Sequence, residues 1–258
     1  DDVGNVVELC SLTDAARQNV AQTYMGLARN LPNTRLIQHP NFSGTIALLP
    51  YAFCNFVIGI DGDDSELGGI LHEIDRWARL QPALRVYVLS GDGPHKLEES
   101  LVTAGFSPVH RLIQMAWYPA RTLGREEWSQ AQSSNDRRRV SSFMVQQFFA
   151  MNAAEFRELV VEATTQGPHE LWQINDDDSI VATAMVSETQ HALGIYNVCV
   201  ESTKRRRGYG TALMRSAQIQ AQERQLPLLL QCDEALSGWY RELGFQVFGE
   251  MHSFQRRI

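Results

Sequence analysis

The residues whose types and spacing point to chemistry lie between positions 198 and 213. Val198-Cys199-Val200 is a short apolar run. It is followed by Lys204-Arg205-Arg206-Arg207-Gly208-Tyr209-Gly210-Thr211-Ala212-Leu213. An apolar strand thus feeds a basic, glycine-containing loop that opens a helix. The first turn of a helix carries N–H groups with no intrahelical partner and the positive end of the helix dipole. Gly208 and Gly210 let backbone approach a ligand closely. The neighbouring cations raise the local potential. Such an arrangement is an anion site, and a pyrophosphate is its natural occupant. A charge run alone is usually a solvated face; the glycine spacing and the helix onset favour the ligand here.

Other residues carry weaker signals. Cys199 and Cys232 lie on two expected strands and read as small buried hydrophobes rather than covalent nucleophiles. Asp176-Asp177-Asp178 reads as a hairpin turn, with attraction of a cationic amine as the alternative. Trp117, Tyr118 and Trp172 either line a cleft or, as strand aromatics usually do, pack in a core.

Arg205-x-x-Gly208-x-Gly210 resembles the Q/R-x-x-G-x-G/A signature of the GNAT N-acetyltransferase superfamily. Leu236-Ser237-Gly238-Trp239-Tyr240-Arg241-Glu242-Leu243-Gly244-Phe245 resembles that family's closing helix and its Y-x-x-x-G-F ending. The likeness runs from about residue 138 to the C-terminus. It implies that Arg205, Arg206, Arg207, Gly208, Tyr209, Gly210 and Thr211 bind the coenzyme A pyrophosphate. Val198, Cys199 and Val200 would hold the pantetheine and thioester through their backbone. Asp233 would sit near the cofactor, and Tyr240 would protonate the departing thiolate. The implied activity is acetyl-CoA-dependent N-acetylation of a small-molecule or peptide amine by direct attack. A non-catalytic acyl-CoA sensor and an aminoacyl-tRNA-dependent transferase are the alternatives. The family's usual glutamate base falls at Gly194, a departure. Glu188, His191, Tyr196 and Asn197 are the nearby candidates, and water-relayed deprotonation is preferred.

The elements that must position these residues follow from periodicity. Residues 11–30 carry apolar positions at helical spacing, with Ser11 or Thr13 as cap. Residues 45–49 and 53–60 read as strands, 66–80 as a helix, 84–89 as a strand. A helix opened by Gly93-Pro94 ends at Gly105, and a strand runs through Trp117. Residues 119–136 read as a polar connector with a helical turn near Trp128. Helices at 137–150 and 153–165, strands at 170–174, 180–187 and 193–200, a helix at 208–224, a strand at 228–231, a helix at 234–243 and a strand at 246–255 complete the chain. The fold class is α+β.

The two halves look alike. Ala104-Gly105-Phe106 parallels Leu243-Gly244-Phe245, and Gly69 stands as far before Gly105 as Gly208 before Gly244. This predicts two tandem GNAT-like domains, each a mixed, mainly antiparallel sheet flanked by helices. The expected boundaries are 1–120, a connector at 121–136, and a catalytic domain at 137–258. The first copy has Asp61, Asp63, Asp64 and Glu66 where the second has Lys204 and three arginines. Leu101 stands at the Tyr240 position. The first copy therefore reads as degenerate, a structural or substrate-shaping partner.

Composition bounds the rest. The 258 residues carry a formal charge of −7, which disfavours a nucleic-acid partner. Cys10, Cys54, Cys199 and Cys232 form no C-x-x-C pair, and no two histidines stand at i, i+4. No metal site, no disulfide framework, no membrane partner and a cytoplasmic location are the expectations. With two copies in one chain, a monomer (a pseudo-dimer) or weak dimer is expected.

Overall fold

A computed structural model describes residues 11–119 and 128–257. Eleven strands form one sheet in the order β1-β2-β3-β4-β11-β5-β10-β9-β8-β7-β6. The first half comprises α1 (Leu12–Ala28), β1 (Arg35–His39), β2 (Phe42–Ile46), β3 (Phe56–Ile58), α2 (Leu67–Leu80), β4 (Arg85–Leu89), α3 (Leu97–Thr103) and β5 (Phe106–Trp117). The second comprises β6 (Ser129–Gln130), α4 (Ser134–Phe149), α5 (Ala154–Gln166), β7 (Glu170–Asp176), β8 (Ser179–Glu188), β9 (Leu193–Val200), α6 (Tyr209–Arg224), β10 (Leu228–Cys232), α7 (Glu234–Glu242) and β11 (Gln246–Arg256). Short 3₁₀ turns stand at Ala52–Cys54 and Ser202–Lys204.

The order three strands, helix, strand, helix, strand occurs twice, from β1 to β5 and from β7 to β11. Each half's last strand crosses into the other. β11 lies between β4 and β5, and β5 lies between β11 and β10. The β5–β11 ladder is antiparallel and its register is symmetric. Gln246 pairs with Ala116 and Gln255 with Ser107, while Met251 faces Leu112 at the midpoint. The two closing helices end alike, with Gly105 at φ +93° and Gly244 at φ +89°. That left-handed conformation suits glycine and stops a helix.

Local chemistry sets several boundaries. Ser11 caps α1 by accepting the Asp14 N–H at 3.1 Å. Ser133 caps α4 by accepting the Asp136 N–H at 3.1 Å, so the helix starts three residues before the expected position 137. β2 stops at Ile46 rather than continuing to 49. The Asn55 side chain takes the Ala47 N–H at 2.6 Å, which removes it from the ladder. β1 was not foreseen; only one of its five residues is buried, so it carries little apolar signal. The helical turn expected near Trp128 falls largely on residues outside the described ones, and Trp128 itself is not helical. It precedes β6 and stacks on Trp172 with centroids 4.0 Å apart. Residues 121–127 of the expected connector lie outside the described residues. The pairing of Gly69 with Gly208 does not hold in detail. Gly69 is inside α2, whereas Gly208 precedes α6.

Trp172, Leu193, Leu213, Leu230 and Phe245 anchor the core of the second half. Val57, Ile74, Leu84, Leu101 and Phe106 anchor that of the first. α1 belongs in chain order to the first half but joins both. Ala15, Ala16 and Val20 pack in a cluster that includes Phe56 and Leu229.

Candidate active site

The site begins with a fault in β9. Met185 pairs with Tyr196 and Thr183 with Cys199, so two residues of β9 oppose one of β8. The extra residue is a β-bulge, and Asn197 within it takes a left-handed φ of +51°. On its other edge β9 pairs in parallel with β10 only through Leu193 and Gly194. Beyond Gly194 the two strands part. Backbone N–H and C=O groups on that edge of residues 195–200 have no strand to pair with, which leaves them open to a ligand.

α6 starts at the mouth of this opening. Gly208, its N-terminal flanking residue, has φ +90°, and no atom lies within 4 Å of where a Cβ would project. No side chain caps the helix. The first N–H groups of α6 are therefore free by the geometry of a helix start. Arg206 also adopts a positive φ, +61°. Holding a non-glycine residue there costs on the order of 1–3 kcal/mol, and such strain clusters at ligand sites. Lys204 Nζ lies 2.7 Å from Asp176 Oδ2, and that pairing holds the Asp176 carboxyl below its ordinary range. The acidic turn thus braces the loop, leaving the arginines to face outward. Arg205 Nε donates to the Val200 carbonyl at 3.4 Å.

A cleft of about 580 Å³ occupies the opening. Val198, Cys199 and Val200 line it from the strand, and Arg205, Arg206, Gly208, Tyr209, Gly210 and Thr211 from the loop and helix. Tyr240 closes it from α7, beside Trp239. Gln147 and Phe148 of α4, which carry no signal in the sequence, also reach it, as does Leu236, the first residue of the family-like closing run. Arg207 and Asp233 do not line the cleft. Asp233 flanks the start of α7, where its Oδ1 lies 3.1 Å from His110 Nε2.

Burial raises the Tyr240 phenol well above its ordinary range, with Cys232 adding to the effect, so the hydroxyl keeps its proton. Burial also raises the Cys199 and Cys232 thiols to about 11. Neither is a thiolate near neutrality, which agrees with their reading as buried hydrophobes. Trp117 and Trp172 are core residues, and Tyr118 is exposed. None of the three lines this cleft.

The candidate bases fall into place differently. At Gly194 a Cβ would meet Asn19 Oδ1 at 2.0 Å, so α1 fills the space a longer side chain would need. Tyr196 donates its hydroxyl proton to Asn19 Oδ1 at 2.6 Å, and burial raises its phenol. Glu188, the last residue of β8 and opposite Leu193 at the start of β9, pairs with Arg224 at 2.6 Å. Among the described residues no cluster of His, Cys, Asp or Glu is able to hold a metal.

The first half shows the same parting of strands, with buried apolar side chains beside it. β3 and β4 pair in parallel only through Phe56 and Val57, then separate. Ile60, Leu97 and Leu101, all buried, pack in the first half's core here. The carboxylates of the adjoining loop occupy local donors. Asp63 accepts the Ser65 N–H at 2.8 Å, Asp64 the His95 N–H at 2.9 Å, and Glu66 the Asp63 N–H at 3.1 Å.

Comparison with known proteins agrees with this geometry. Residues 167–247 match the family model for the acetyltransferase (GNAT) domain. The chain has the GNAT acetyltransferase fold. A GCN5-related N-acetyltransferase from Kribbella flavida is similar at TM-score 0.69, with 18% identity over 96% of this chain and 97% of that one. A tandem GNAT protein from the clavulanic acid biosynthesis pathway is similar at TM-score 0.57, with 11% identity over 94% and 96%. A GCN5-related N-acetyltransferase from Sphaerobacter thermophilus is similar at TM-score 0.53, with 16% identity over 94% and 91%. No curated protein matches the sequence. Among the described residues no helix is long and apolar enough to cross a membrane.

Proposed function

We propose that this chain is an acetyl-CoA-dependent N-acetyltransferase that transfers acetyl directly to an amine. It is built as two tandem copies of the GNAT fold, 1–120 and 137–258, joined by 121–136. The observation that carries this reading is the convergence of three features on one cleft: the parted edge of β9, the glycine-opened start of α6 and the protonated Tyr240.

The donor set fits coenzyme A. The open space over Gly208, the uncapped first turn of α6 and the Arg205 and Arg206 side chains suit a pyrophosphate. The free edge of Val198–Val200 suits the amides of a pantetheine arm. Bound there, acetyl-CoA supplies an activated acyl group as a thioester. Backbone N–H groups beside the bulge are placed to stabilise an oxyanion. Tyr240 gives its proton to the leaving sulfur, and water removes the proton of the amine.

The first copy serves as a wall rather than a second site, because leucines and isoleucine fill its opening and carboxylates occupy its loop donors. Measurement of thiol release from acetyl-CoA with a panel of amines tests the activity. Amine-dependent release supports it, and coenzyme A binding without release from any amine contradicts it.

A further inference from the structure

A second cavity, of about 470 Å³, adjoins the cleft. One wall is Tyr24, Phe56 and Tyr87, whose rings meet edge to face at 5.3–6.1 Å. The other includes Tyr51, Phe53, Phe149 and Phe156, with Phe156 at the centre of contacts of 4.6–6.3 Å. Tyr196 and Asn197 of the bulged strand complete it. The first wall and the Tyr51–Phe53 segment come from the N-terminal half, and the rest from the C-terminal half. Among the described residues no Asp, Glu, Lys, Arg or His lines the cavity.

The linings of the two cavities stand one residue apart at two points. Along β9, Asn197 lines the aromatic cavity and the next residue, Val198, lines the cleft. Along α4, Phe149 lines the cavity and Phe148 the cleft. Neighbouring Cα atoms are about 3.8 Å apart, so the two linings adjoin at the bulge.

We propose that this aromatic cavity is the acceptor site and that it takes arylalkylamines, primary amines on an uncharged aromatic body without a carboxylate. The proposal rests on the N-acetyltransferase reading above. Three features select that class. A carboxylate on the acceptor would be desolvated here with no lining cation to pair it. A polycationic sugar amine would find no lining carboxylate. An aromatic body finds ring edges and faces on both sides.

The same walls prepare the nucleophile. Burial raises the phenols of Tyr24, Tyr87 and Tyr196, so the tyrosines stay neutral. An ammonium entering such a site loses hydration without gaining a counter-charge, which lowers its pKa toward the neutral amine. Loss of the proton to water then needs less help. That accounts for a site with Gly194 in the strand and no carboxylate at the bulge. The amine nitrogen then bonds to the acyl carbon, the carbon–sulfur bond breaks and Tyr240 protonates the sulfur; the nitrogen loses its second proton to water, and the Tyr240 phenolate regains one from water.

The test uses the full chain with acetyl-CoA and follows thiol release. The probes are 2-phenylethylamine, tryptamine, phenylalanine and an aminoglycoside. The aryl amines are expected to exceed phenylalanine at least 100-fold in kcat/KM, with the aminoglycoside inactive. Tyr51→Arg places a cation in the wall. It is expected to raise KM for 2-phenylethylamine at least 10-fold and to narrow the gap to phenylalanine, with coenzyme A affinity unchanged as the check on folding. Equal or better turnover of phenylalanine or the aminoglycoside overturns the proposal. So does an unchanged KM in a Tyr51→Arg variant that binds coenzyme A normally. No release with any amine overturns both this proposal and the activity it rests on. Release with other amines alone overturns only this one.

Discussion

At the scale of single residues, the glycines and the tyrosine do different work. On the proposed function, Gly208 serves binding through its φ of +90° and the space above it. Tyr240 would supply a proton that burial keeps in place. Tyr240→Phe is therefore expected to lower kcat by about 100- to 10,000-fold while coenzyme A affinity stays within a few-fold. Steady-state kinetics beside a binding titration separates the two effects. A wild-type rate would reduce Tyr240 to packing. These residues were legible in the sequence because their chemistry is local: glycine before a helix, a tyrosine four residues before Gly-Phe. Phe148 and the aromatic cavity were not legible. Their rings come from α1, the segment between β2 and β3, β3, β4, α4, α5 and β9, and only tertiary packing assembles them. The absent base had a signal in Gly194, but its cause, the Asn19 side chain in the same space, lies 175 positions earlier.

At the scale of elements, α1 ties the halves through buried polar groups. Asn19 Nδ2 donates to the Ser187 carbonyl at 2.9 Å, and Thr23 Oγ1 to Ser187 Oγ at 2.8 Å. His169 Nε2 lies 3.1 Å from the Thr23 carbonyl, so that nitrogen carries the proton and donates. Burial lowers the His169 imidazole to about 4, against an ordinary 6.5. Between those values the unfolded chain binds more protons than the folded one, so this group's contribution is complete above about 6.5 and is lost as the pH falls toward 4. The full effect is about 3 kcal/mol. Asp92 acts in the opposite sense. Burial raises its carboxyl to about 7, so its contribution is complete below about 3.8 and is lost as the pH rises through 7. The wild-type profile sums the two. His169→Gln is expected to gain stability relative to the wild type as the pH falls from 7.5 to 4, read as urea midpoints. Parallel profiles would show that His169 does not titrate in this way. Periodicity made α1, α2 and the strands β7 to β11 legible. It failed at β1, where burial is one-sided and sparse, and at the end of β2, where a side chain from position 55 ends the ladder.

At the scale of the molecule, the exchange of β5 and β11 makes one sheet from two halves. Each strand fills the gap beside the other half's parallel strand, β10 beside β5 and β4 beside β11. Sequence likeness between the halves was visible, but which half each strand joins was not, since an amphipathic strand does not name its neighbour. The C-terminal segment 128–258 alone lacks β4 and β5, which leaves one edge of β10 and both edges of β11 unpaired. It is expected to lack a cooperative thermal transition and to regain one when mixed with 1–119. An independently folded fragment with native circular dichroism would show that the exchange is dispensable. The central claim, one coenzyme A site per chain in the cleft of the second half, is tested most directly by calorimetric titration of the intact chain with coenzyme A. Saturation at one equivalent is expected, with binding abolished in Arg205→Glu/Gly208→Glu and retained when Asp61, Asp63, Asp64 and Glu66 are neutralised. Two equivalents, or unchanged affinity in the Arg205→Glu/Gly208→Glu variant, would contradict it.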